Sequence, residues 1–253
     1  MATTHTVDGA GIAEIVMEHP PVNALDVAGW FDLAERLGDL GRDAQVRCVV
    51  LRAEGRGFNA GVDIKEMQAT EGFGALIGAN RGCFAAFAAV YDCPVPVIAA
   101  VHGHCLGGGI GLVGNADIVV ASDDATFGLP EVDRGALGAA THLSRLVPQH
   151  KARAMVYTAA TATAAELASF GSVLRVVPRD ELRGAAMEVA EQIAAKSPTV
   201  MRAAKESLNG IDPWDVKRSY RYEQGFTFEL NLSGVADEHR DAFVADRDTD
   251  IQR

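Results

Sequence analysis

The sequence predicts an α/β domain with a layered core of parallel crossovers, followed by a helical tail. Three observations carry that reading. Short β-branched runs alternate with amphipathic stretches through the first half, the pattern of strand–helix crossover units. Two of those runs pass directly into loops of small residues that open helices. After about Gly138 the strand signal fades, except over 172–177, and helical patterns follow one another.

Taken in order, residues 11–18, 46–51, 95–101 and 117–121 read as strands. Asp26 is a predicted N-cap, opening a helix that carries Trp30, Leu33, Leu37 and Leu40 on one stripe. A second helix is expected over 73–91, with Phe73, Ile77, Phe84 and Phe87 turned inward. Beyond the core, residues 181–195 are amphipathic, 199–208 follow Pro198, and a stretch from Pro213 leads into Phe226, Phe228 and Leu230. Ser233-Gly234 punctuates that stretch, and 237–244 close the fold. The expected division is a core over 1–190 and a helical region over 191–253, whose apolar residues suit packing on a partner subunit.

Composition narrows the function classes. The net charge is −11, with 34 acidic against 23 basic residues, a surface that repels phosphate backbones and argues against nucleic acid as partner. A small polyanion needs only a local basic patch, so an anionic ligand stays open. No run approaches the roughly 20 apolar residues of a membrane span, and residues 1–8 lack the basic flank and apolar run of a secretory signal. Cys48, Cys83, Cys93 and Cys105 form no Cys-x-x-Cys pair, and three sit among apolar neighbours. Buried free thiols and a cytoplasmic location are the expectation. No metal-ligand spacing is present, so neither metal nor separate cofactor is expected.

The richest segment is Gly103-His104-Cys105-Leu106-Gly107-Gly108-Gly109-Ile110-Gly111, between the strand at 95–101 and an apolar helix. Three consecutive glycines there admit a ligand close to the backbone, and unpaired N–H groups at the helix start face it. No Gly-Lys-Ser/Thr follows, which excludes a Walker loop. A second segment, Gly57-Phe58-Asn59-Ala60-Gly61-Val62-Asp63-Ile64-Lys65-Glu66-Met67, also follows a strand. Two such loops can aim two N–H groups at one oxygen, the arrangement of an oxyanion hole.

Together these segments resemble the crotonase (enoyl-CoA hydratase/isomerase) superfamily. The resemblance continues through Pro21-Val22-Asn23-Ala24-Leu25, Phe127-Gly128-Leu129-Pro130-Glu131, residues 135–148 and the helix at Asp237-Glu238, and so spans nearly the whole chain. It implies a crotonase (ClpP-like) spiral of ββα units, C-terminal helices that build a homotrimer or a dimer of trimers, and an acyl-CoA thioester as substrate, with coenzyme A part of that substrate. Carried over by position, Val62 and Gly108 N–H would hold the thioester oxygen. Ala24, Ala60, Asp63, Ile64 and Lys65 would line the CoA, with Lys65 near the nucleotide.

Hydratases of the family use two glutamates. One falls at Gly111 here, and the other at Glu131. Losing a general acid/base is worth roughly 10²–10⁴ in rate, so simple hydration is disfavoured. Gly111 is further expected to leave a void for a bulky acyl group, beside Met67, Phe73, Ile77 and His142 as pocket residues. One carboxylate suffices to shuttle a proton in double-bond isomerisation or to activate water for carbon–carbon bond hydrolysis. Stretches 52–63, 80–87, 135–146 and 223–232 resemble a branch that performs the second task. Its substrate is a bicyclic, methyl- and diketone-bearing indene carboxyl-CoA of steroid catabolism. The implied activity is therefore ring opening. An enoyl-CoA isomerase or hydratase of fatty-acid oxidation is the alternative, and a non-catalytic CoA-binding homologue is the third reading.

Smaller expectations complete the picture. Asp63 fixes its loop and Glu66 is exposed on the next turn. His102 and His104 orient the glycine loop, and His142 is either a second acid/base or packed structure. Tyr220, Arg221, Tyr222 and Phe226 are expected to close a neighbour's pocket or to reach CoA phosphates. Thr158-Ala159-Ala160 replaces the family's usual Thr-Gly, a departure without evident chemical consequence.

Overall fold

The computed structural model describes residues 2–244. The chain opens with an antiparallel pair, β1 (Ala2–Val7) and β2 (Ile12–Glu18), then α1 (Val27–Arg42) and β3 (Cys48–Ala53). Helices α2 (Ile64–Ala69) and α3 (Gly74–Tyr91) lead to β4 (Val97–Val101), which bends almost at once into β5 (His104–Leu106) and the short α4 (Gly108–Val113). The step repeats with β6 (Ile118–Ser122) and β7 (Thr126–Gly128), followed by a 3₁₀ turn (Pro130–Arg134), α5 (Ala140–Ser144) and α6 (Gln149–Thr158). After β8 (Thr161–Thr163), α7 (Ala164–Ser169) and β9 (Arg175–Val177), four helices follow: α8 (Leu182–Ala194), α9 (Pro198–Ile211), α10 (Val216–Leu232) and α11 (Val235–Val244).

The main sheet has the order β1-β2-β3-β4-β6-β9 and is parallel from β2 onward, while β5-β7-β8 form a second, smaller sheet. Two successive turns of the spiral, β4-β5 and β6-β7, thus place one strand in the large sheet and the next in the small one before helices follow. That is the ββα repeat the sequence implied.

The parallel strands are buried on both faces, which is why they read as near-continuous apolar runs. Alternation assigns the faces. Cys48, Val50, Ile98, Ala100 and Val120 meet α8 through Leu182, Ala186, Val189 and Ala190. Val49, Leu51, Val97, Ala99, Val101, Val119 and Ala121 face the larger core with α1 and α3. The parallel register sets Val50 opposite Ile98 and Ile98 opposite Ile118, so each row stays on one face.

Helix α1 begins as expected: the Asp26 carboxylate accepts from Gly29 N–H at 2.7 Å, and Trp30, Leu33, Leu37 and Leu40 are buried. The inward face of α3 differs from expectation. Phe73 is 45% and Ile77 39% exposed, Phe84 is half-buried, and Phe87 alone of the four is buried. The true inner stripe is Ala75, Leu76, Ala79, Gly82, Cys83, Ala86, Phe87, Val90 and Tyr91, small through its middle at Ala79, Gly82, Cys83 and Ala86. Close approach of α1 demands small residues there, since a Cβ on Gly82 would lie 2.7 Å from Trp30 Cβ. Phe73 and Ile77 point elsewhere, while Phe87 packs edge-on against Trp30, 5.7 Å between ring centres.

All four cysteines are free and buried. The tail is anchored by a buried Lys205, whose Nζ reaches Asp117 at 2.7 and 2.9 Å while Asp117 Oδ2 also accepts from Val97 N–H. Removing the cation leaves that carboxylate uncompensated. Lys205→Met is expected to lose about 3 kcal/mol in denaturant unfolding.

Candidate functional site

The two small-residue loops meet side by side. Leu106 N–H donates to Asn59 O at 2.9 Å and Asn59 N–H to His104 O at 3.2 Å, a parallel bridge that sets loop 57–62 against β5. The second loop is locked from within. Asn59 Oδ1 accepts from Gly61 N–H at 2.8 Å and its Nδ2 donates to Asn23 O, while Asn23 Nδ2 donates to Glu54 O and Gly57 O. Those bonds explain why Asn23 and Asn59 belong to the motif: they hold the loop and do no chemistry.

Two N–H groups emerge from this junction. Leu25 N–H donates to Gly61 O and Asp63 N–H to Leu25 O, a parallel bridge that leaves the N–H of Val62 directed away from Leu25. Gly108 is the first residue of α4, so its N–H has no partner within the helix. The loops touch here. A Cβ on Gly61 would stand 3.1 Å from Gly108 N, and Gly61 takes φ +88°, a conformation that favours glycine.

Glu131 hangs over the same junction from the 3₁₀ turn after β7. A Cβ on Gly107 would lie 2.6 Å from its Oε1. The residue as a whole keeps some exposure, yet Oε2 is sealed from solvent and has no hydrogen-bond partner among the described residues. Burial pushes the carboxyl up to about 8; Arg134 opposes the shift and Glu223 adds to it. Glu223 itself, on α10, accepts from Ala140 N–H with both oxygens at 3.1 Å, and burial raises it to about 7.

A cavity of about 590 Å³ collects these groups. Ala24, Ala60, Val62, Asp63, Ile64, Lys65, Met67, Gly108 and Glu131 all line it. Asp63 caps α2 by accepting from Lys65 N–H at 2.9 Å, as expected of a loop-fixing residue. His102 and His104 hold neighbouring turns through Gly55 O and Val22 O.

Four predicted pocket residues lie elsewhere. Phe73 and Ile77 sit on the exposed side of α3. Gly111 opens no void, because a Cβ there would come within 2.1 Å of Phe87 Cζ: the phenyl ring occupies the space. His142 is buried behind that ring, 5.2 Å from Phe87 and 5.4 Å from Tyr220 between centroids. Burial drives its imidazole down to about 3, so it is neutral packing rather than an acid. Glu66 is not free either; its Oε2 accepts from Val27 N–H at 2.9 Å at the start of α1. A glutamate at 111 does not fit beside Phe87. G111E is therefore expected to lose about 3 kcal/mol in denaturant unfolding, part of it recovered when F87A is added.

The reading by sequence named Phe87 and Tyr220 but missed the rest of the wall across the cavity. Leu76, Ala79, Asn80, Cys83 and Phe87 of α3, with Tyr220 of α10 and Arg240 and Phe243 of α11, complete the lining. The i, i+3, i+4, i+7 spacing of 76, 79, 80, 83 and 87 was the available signal. Tyr220 turns into this cavity, whereas Tyr222 is 73% exposed and Arg221 is spent on Gln224.

Comparison with known proteins agrees with the geometry. Residues 8–239 match the enoyl-CoA hydratase/isomerase family, and the chain belongs to it. Among curated relatives, the (7aS)-7a-methyl-1,5-dioxo-2,3,5,6,7,7a-hexahydro-1H-indene-carboxyl-CoA hydrolase of Rhodococcus jostii (strain RHA1) is 66% identical over 244 residues, covering 96% of this chain and 95% of that one. The hydrolase of the same name from Mycobacterium tuberculosis is 67% identical, covering 96% and 99%. A carnitinyl-CoA dehydratase of Salmonella enteritidis is more distant, 33% identical over 86% of this chain and 84% of its own. Among solved structures, an enoyl-CoA hydratase/isomerase from Pseudoalteromonas atlantica T6c superposes with a TM-score of 0.86 at 26% identity, covering 98% of each chain.

Proposed function

We propose that this chain is a carbon–carbon bond hydrolase that opens the five-membered ring of a 7a-methyl-1,5-dioxo-hexahydro-indene carboxyl-CoA, a step of steroid (cholesterol) catabolism. The observation that carries the reading is one sealed carboxylate, Glu131, facing the oxyanion junction while Phe87 fills the place of a second acid. The names of two relatives at 66% and 67% identity support the substrate.

Glu131 takes a proton from water as the oxygen attacks the ring ketone. The resulting alkoxide collapses, and the bond to the quaternary, methyl-bearing carbon breaks. The electron pair passes through the ring alkene into the thioester carbonyl, giving an extended dienolate. Val62 and Gly108 N–H stabilise the charge on the thioester oxygen. Glu131, now protonated, returns its proton to carbon, and the carboxylic acid formed where the ketone stood gives its own proton to solvent. A carboxyl near 8 suits this task, because it is basic enough to accept a proton from water and acidic enough to return it.

The CoA lies along Ala24, Ala60, Asp63, Ile64 and Lys65, with the Lys65 ammonium toward the nucleotide phosphates. Helices within 191–253 build a homotrimer or a dimer of trimers in the cytoplasm. No helix among the described residues is long and apolar enough to cross a membrane. The test is turnover of the bicyclic dioxo ester beside a simple 3-enoyl-CoA. Ring-opened product from the first alone is expected; double-bond migration in the second alone would favour an isomerase.

A further inference from the structure

The proposed reaction creates negative charge twice, and the junction of Val62 and Gly108 serves one of those sites. The thioester oxygen takes both N–H groups, so the alkoxide formed when water adds to the ring ketone needs a donor of its own. The cavity offers one on α3. Asn80 Nδ2 is buried and finds no hydrogen-bond acceptor among the described residues, and Asn80 lines the cavity. It is the one side chain with an N–H among Leu76, Ala79, Asn80, Cys83 and Phe87, the residues α3 gives to that wall.

The orientation of this amide follows from its neighbours. Arg221 Nη1 lies 2.7 Å from Gln224 Oε1, and a guanidinium only donates, so that atom of Gln224 must be the oxygen. Gln224 Nε2 is thereby turned to Asn80, where it donates to the backbone oxygen at 2.7 Å and to Oδ1 at 3.3 Å. Asn80 then has its oxygen toward Gln224 and its NH₂ free. The relay is itself held, since the Arg221 guanidinium lies over Phe84, 5.6 Å from the ring centre, and Gln224 is buried. An unpaired buried donor is a standing cost to the fold, and a carbonyl oxygen placed against it removes that cost.

We propose that Asn80 Nδ2 donates to the oxygen of the five-membered-ring ketone and stabilises the alkoxide as water adds, with Gln224 and Arg221 as positioning residues. This rests on the ring-opening reading for its substrate, and its test separates the two. The measurement is binding in the E131Q background, which holds the ester without turning it over. Two CoA esters are compared, the bicyclic diketone and its analogue with CH₂ in place of the five-membered-ring ketone.

With Asn80 intact, the ketone ester should bind about tenfold tighter than the methylene analogue. N80A should erase that preference while leaving affinity for the analogue within about twofold. Q224E should do the same with Asn80 still present, because it keeps an acceptor for Arg221 and turns an oxygen toward Asn80. With Glu131 restored, N80A should lower kcat far more than it changes KM, by about 10²-fold. A preference that survives N80A, or equal losses on both esters, would overturn the assignment, and an unchanged preference in Q224E would overturn the relay. A chain that shows the ketone preference but does not open the ring would refute the ring-opening reading and leave the donor in place.

Discussion

Glu131→Gln lowers ring-opening turnover by about 10²–10⁴-fold and leaves affinity for the CoA ester within a few-fold. The substitution removes the sealed carboxyl beside the junction of the two loops and keeps its shape, so the cavity lining along the loop at 60–65 is untouched. Two further readouts separate this from a structural defect. Because burial holds the carboxyl at about 8, kcat/KM of the unaltered protein should rise with pH through that value, and the residual activity of the variant should lack this limb. Stability should move the opposite way to activity. A carboxyl raised in the folded state keeps its proton there, while the unfolded chain releases it near 4.5. The unaltered protein therefore loses stability as pH climbs from about 4.5 to 8, and the glutamine variant loses less, because Glu223, raised to about 7, contributes equally to both. Thermal unfolding should find E131Q the more stable of the two at pH 9, with the gap closing toward pH 4.

Gly108→Ala is the second large effect, about 10²–10³-fold in kcat. A Cβ at 108 would come within 2.7 Å of the Trp30 ring and 3.2 Å of Gly61 Cα, both fixed by packing. Trp30 is fully buried between α1 and α3, so the loop must shift and carry the Gly108 N–H out of the position proposed for it. Gly74→Ala is the control, since a Cβ there meets nothing within 4 Å. Equal losses in both variants would show that general loosening, not the position of one N–H, is being measured.

The parts of the fold legible in sequence were those with a strong period or a strong cap. The parallel strands announced themselves as apolar runs, and Asp26 with the Trp30 stripe marked the start and inner face of α1. The three-residue strands β5, β7 and β8 were too short for any period to register, and their partners lie across helices in the chain. Helix α3 was misread because side-chain size was taken as a guide to burial. Its inner face is small where Trp30 crosses it, and the large residues Phe73 and Ile77 were left outside.

In the site, motif residues on contiguous loops were found because chemistry and backbone demand sit together in the chain. Apart from Phe87 and Tyr220 the opposite wall was not, because Leu76, Asn80 and Arg240 come from helices remote in the chain from those loops. Gly111 shows the limit most clearly. A missing side chain reads as space in one dimension, yet Phe87, distant in sequence, fills it. Recruitment of that ring turns the loss of one acid into an apolar wall beside the reacting bicycle, and leaves Glu131 as the acid/base of the proposed reaction.

The most direct test of ring opening is mass spectrometry of the bicyclic dioxo-indene carboxyl-CoA after incubation with the protein in ¹⁸O water. The account predicts a product that keeps its CoA, gains the mass of one labelled water and carries the label in a new carboxylate. Release of free CoA with the label in the acid would show thioester hydrolysis instead, and contradict the assignment of Val62, Gly108 and Glu131 to carbon–carbon bond cleavage.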